Sequence, residues 1–84
     1  MKYITEFDVR QIDEHGDAYD LDHFDTEASA RQFASRLSLD SRCCAIVVRQ
    51  HRFVVDNWSI RDSVYVNLLT TGSETALRAG GWID

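Results

Sequence analysis

One stretch with the period of a helix lies between stretches with the period of a strand, joined by links of hairpin length. In residues 26–39, Ala30, Phe33, Ala34 and Leu37 fall at i, i+3, i+4 and i+7 and so share one helical face. Glu27, Arg31, Gln32, Ser35 and Arg36 take the other side. Asp25 or Thr26 offers a side-chain oxygen to the first free N–H groups. Glu27 stands in the first turn, where the helix dipole favours an anion, and is four residues before Arg31. Two alanines on the apolar face let the helix approach a sheet closely.

Before the helix, Tyr3, Thr5, Phe7 and Val9 alternate with Ile4, Glu6, Asp8 and Arg10, and the phase slips near Ile12. Residues 13–17 make a turn with Gly16 available for positive φ. Residues 18–23 then return as a strand with Tyr19 and Leu21 inward and Asp20 and Asp22 outward. After a link at 39–42, the apolar run 43–48 reads as a central strand buried on both faces. Gln50, His51 and Arg52 are expected to turn the chain and 53–55 to return it. In 56–62, Trp58 and Ile60 either extend that strand or anchor a loop over the core. Residues 63–69 alternate as a last strand, Ser73 caps a short helix over 74–79 with a Glu74–Arg78 pair, and Trp82 and Ile83 fold back after Gly80 and Gly81.

The expected order is β-β-α-β-β-β-α, an α+β fold. A mostly antiparallel sheet of about four or five strands would carry one main helix on one face, because links this short exclude parallel crossovers. Residues 1–84 suffice for a single domain with a modest core. A hydrophobic share of 44% with nine aromatics argues against disorder. Charge from Lys2 onward argues against a signal peptide, and no apolar run approaches the roughly 20 residues of a bilayer span. The expected location is cytoplasmic. Adjacent Cys43 and Cys44 point to opposite faces of a strand, which suits reduced core thiols rather than a disulfide or a zinc site.

Charge is the most uneven feature. Residues 1–30 hold nine acids against two bases, while residues 43–84 hold four of each. Asp20 and Asp22, about 6.8 Å apart on one strand face, repeat the spacing of Glu6 and Asp8 on the neighbouring strand, which suggests a carboxylate ladder. Such a surface attracts a basic protein and repels nucleic acid. The candidate contact set is Glu6, Asp8, Asp20, Asp22, Asp25 and Glu27, although the same acids also serve solubility and guard edges.

Other chemistry is thinly represented. Asp20, Asp22, His23 and Asp25 invite a cation, but a regular strand points His23 away from the two aspartates, and residues 13–17 lack the pattern of a calcium loop. No histidine has a spacing-defined nucleophile, and no glycine-rich phosphate loop is present, so no catalytic residue, cofactor or metal is expected. Asn57-Trp58-Ser59 matches a glycosylation sequon by chance. Arg49, Arg52 and Arg61 with Phe53 and Trp58 form a small basic–aromatic patch, weak as a nucleic-acid site in a chain of net charge −5.

In its size, its opening strand 2–13, its alanine-rich helix Glu27-Ala28-Ser29-Ala30-Arg31-Gln32-Phe33-Ala34 and its closing strands, the chain resembles the small acidic proteins of phages and mobile elements, anti-CRISPR proteins among them. The resemblance implies a stoichiometric inhibitor, monomeric or weakly dimeric. It would cover a basic nucleic-acid-binding surface on a partner such as a CRISPR effector subunit. The competing expectation is a self-associating structural or regulatory subunit that uses a strand edge or the Trp58–Ile60 and Trp82–Ile83 segments.

Overall fold

A computed structural model describes residues 2–40 and 42–83; Met1, Ser41 of the predicted link and Asp84 lie outside the described residues. Strands β1 (Lys2–Ile12) and β2 (Ala18–Phe24) form a hairpin that leads into helix α1 (Glu27–Ser35). Strands β3 (Ala45–Asp56) and β4 (Ser59–Gly72) form a second, longer hairpin, and α2 (Glu74–Ala79) follows. The sheet is antiparallel throughout, in the order β2-β1-β3-β4. The fold is α+β as the periodicity indicates, with the order β-β-α-β-β-α.

The central strands are buried on both faces because each face has its own cover. Val9, Ile46 and Val48 pack with Ala30 and Ala34 of α1, surrounded by Phe7, Phe24, Phe33, Leu37 and Leu69. On the reverse face Ile12, Ala45 and Val47 pack with Ala76 and Leu77 of α2, and Trp82 and Ile83 close over them. The Trp82 indole N–H donates to the Gly16 carbonyl at 3.1 Å, which fastens the C-terminal segment to the β1–β2 turn. Neither cluster draws on β3 beyond Val48 or on β4 before Leu69. The outer half of the β3–β4 hairpin lies outside both clusters of a molecule 42 Å long, although Phe53 and Val54 are still buried there.

Caps behave as the sequence suggests. Thr26 Oγ1 accepts from Ser29 N, and Ser73 Oγ accepts from Ala76 N. Helix α1 is shorter than the predicted 26–39, because the Arg36 and Leu37 N–H groups reach back only three residues and tighten the last turn.

Two expectations are corrected and one open alternative is decided. Gln50, His51 and Arg52 do not turn the chain; they pair with Phe7, Glu6 and Thr5 in the middle of one long strand. None of the three is a preferred turn residue, and the reversal falls instead at Asn57 and Trp58, so two expected strands are one. Tyr19 and Leu21 are exposed rather than inward, because no layer covers the β2 edge and only Ala18 and Phe24 of that strand join the core clusters. Trp58 anchors no loop over the core and is 100% exposed.

Candidate functional site

Opposite Val9 and Arg10 of β1 stand Asp22 and Asp20 of β2, with Leu21 left over as a bulge. That extra residue rotates the strand. Asp22 is level with Val9 on the α1 face, whereas Asp20 is level with Arg10 on the reverse face, where Arg10 Nε lies 2.7 Å from Asp20 Oδ1. The expected ladder of four carboxylates on one face does not form, because a bulge inverts side-chain alternation.

Each residue of the predicted contact set has a definite place. Asp8, 2% exposed, is at the centre of a charged network. Arg49 Nη2 donates to its Oδ2 at 3.0 Å across the β1–β3 pair, and His23 Nδ1 meets its Oδ1 at 2.7 Å across the β1–β2 pair. Glu6 is half-buried beside this network, and ligand atoms of Glu6, Asp8 and His23 come within 4.8 Å of one another. Glu27 pairs with Arg31 at 2.8 Å inside α1. Asp22 and Asp25 are exposed on the β2 edge and in the loop to α1. His23 thus joins Asp8 rather than Asp20, Asp22 and Asp25. Arg49 holds the other Asp8 oxygen, Oδ2.

Burial alone raises the Asp8 carboxyl, and it is the largest single influence. The hydrogen bonds from His23 and Arg49, with their charges, together outweigh it and leave Asp8 below the usual carboxylate range. The bond to Asp8 lifts His23 above its ordinary value against a smaller opposing effect of burial. Burial pushes the Cys43 thiol up, which suits an inert core residue.

Sequence reasoning missed how this network extends along the same face. The Arg49 guanidinium lies 4.0 Å from the centre of the Tyr65 ring, and His51 stacks on Tyr65 at 4.2 Å and packs tilted against Phe53 at 4.6 Å. The buried His51 Nε2 has no hydrogen-bond partner among the described residues. The period-2 pattern of β3 carried a signal, since residues 49, 51 and 53 share a face once 50–52 is read as strand. The expected patch of Arg49, Arg52 and Arg61 is dispersed: Arg52 lies over Tyr3 on the opposite face, and Arg61 reaches toward Asp56 at 3.9 Å.

No family model, curated protein or solved structure matches this chain. Among the described residues no helix is long and apolar enough to cross a membrane. Asp8, Arg49 and His23 stitch three strands together, while Asp17, Asp22 and Asp25 at the hairpin rim have no ion-pair partner among the described residues.

Proposed function

We propose that the protein is a non-enzymatic binding domain that docks on a basic surface of a partner protein through the acidic rim of its N-terminal hairpin. The observation that carries the reading is the set of exposed acids Glu14, Asp17, Asp22 and Asp25. They lie along the β1–β2 turn, the β2 edge and the loop into α1, and none has an arginine or lysine partner among the described residues. Asp8, Asp20 and Glu27 leave the contact set, since their charge is already spent on Arg49, Arg10 and Arg31. Glu6 stands at the border of the two groups. A concentrated negative rim on one edge speeds encounter with a cationic surface and weakens with salt. A CRISPR effector whose nucleic-acid-binding surface the protein would shield is one partner class that fits this electrostatics.

The test is affinity capture from a bacterial lysate with immobilised protein at about 50 and 500 mM salt, beside an Asp22→Lys/Asp25→Lys variant. A basic protein held at low salt, released at high salt and lost by the variant supports the reading. Equal retention by the variant, or capture of nothing basic at low salt, overturns it.

A further inference from the structure

The two edges of the sheet are unlike. The β2 edge is only seven residues long and carries Asp20 and Asp22, two features that discourage another strand from adding. The β4 edge is fourteen residues long, and from Ser63 to Ser73 it holds no charged residue and no proline. Ile60, Val64, Tyr65 and Val66 along it are 62%, 56%, 51% and 49% exposed. Bulges interrupt β4 near Asp62 and at Leu68, so Val64–Asn67 between them is the regular, open segment.

The turn ahead of this edge carries a second irregularity. Asp56 pairs with Ser59, and the two residues between them, Asn57 and Trp58, have φ of 46° and 69°. A two-residue turn with both centres left-handed favours Asn followed by Gly. This chain sets Trp in the glycine position, at a cost of order 1 kcal/mol for a side chain in the left-handed region, and leaves it wholly in solvent.

We infer that β4 pairs antiparallel with β4 of a second copy of this chain, giving a closed two-fold dimer with one eight-stranded sheet. A two-fold axis normal to the sheet keeps every side chain on its own face, so the residue on the axis must oppose itself. Centring on Tyr65 sets Tyr65 against Tyr65 and Val64 against Val66, aromatic and β-branched pairs of the favourable kind, and opposes no like charges. The acidic β2 edge stands three strands away, about 14 Å, beyond the Debye length at physiological salt, so the net charge of −5 does not prevent approach. Because the β2 edge is guarded, pairing stops at two copies and no filament grows.

Sedimentation equilibrium of the full chain across micromolar concentrations tests the pairing, and oxidation of a Tyr65→Cys variant tests the register. The expected result is twice the 9.7 kDa chain mass, reverting to one chain mass in Val64→Lys/Val66→Lys with an unchanged circular dichroism spectrum. Tyr65→Cys should cross-link to itself and Asn67→Cys should not. A wild-type monomer throughout, a double variant that still dimerises, or cross-linking through Asn67→Cys alone each overturns the inference. Asp22→Lys/Asp25→Lys should leave the dimer intact, so this result and the fate of the acidic-rim reading are decided separately.

Discussion

Asp8 and Arg49 stand directly opposite each other on β1 and β3, their charged atoms 3.0 Å apart, and the Asp8 side chain is only 3% exposed. Forty-one residues separate them in the chain, so the pair exists only once the two hairpins have come together. A buried ion is tolerable when its counter-ion and hydrogen bonds are present and costly when either is removed. The charge that looked most available for a partner is thereby committed to holding the sheet.

Removing Asp8 should accordingly be among the more damaging single polar substitutions. Asp8→Ala leaves the poorly solvated Arg49 cation unpaired and is expected to lower stability by about 3 kcal/mol, read as a shift of the urea midpoint. Asp22→Ala, with an exposed and unpaired carboxylate, should stay within about 0.5 kcal/mol of wild type. Equal effects from the two would mean that the network contributes nothing.

The same network fixes a pH window. His23 is raised above its usual 6.5 in the folded chain, so its contribution is complete below that value and is lost as pH rises through the higher folded pKa. Asp8 is lowered below 3.8, so its contribution is present above that value and is lost as pH falls through the lower folded pKa. Melting temperature should therefore be higher at about pH 5.5 than at about pH 8.5, and His23→Gln should flatten that slope. A slope unchanged by His23→Gln would assign it to other groups.

Trp58→Gly should separate monomer stability from association. The monomer gains on the order of 1 kcal/mol as the left-handed strain goes, while self-association through Val64–Asn67 stays unchanged. Chemical denaturation at low protein concentration reads the first and sedimentation the second. A change in association would place the turn inside the dimer contact.

The packing of the C-terminal segment has its own test. Leu77 is 3% exposed, and Leu77→Ala should cost about 2–4 kcal/mol through the cavity it leaves beneath α2. At Gly16, φ is +84° and an added Cβ would collide with the Gly80 backbone, so Gly16→Ala should cost about 2 kcal/mol or more. Denaturant midpoints check both, and a neutral Gly16→Ala would mean that the turn and the C-terminal segment are not locked together.

Much of this protein was fixed locally, and local patterns were legible. Side-chain spacing placed Ala30 and Ala34 under α1 and buried Ile46, Val47 and Val48 on alternate faces. Short-range chemistry placed the Thr26 and Ser73 caps. These depend on neighbours within about one turn or one strand, which a sequence states directly. Only the assembled sheet decided that 50–52 continues a strand, since that segment is held by β1, about 45 residues earlier in the chain. The faces of Asp20 and Asp22 were also settled there, because the single extra residue Leu21 appears only when β2 is laid against β1. Pairing register is a relation between distant segments. A one-residue slip in it reverses which side every charge points to, so the carboxylates were visible in the sequence while their partners were not.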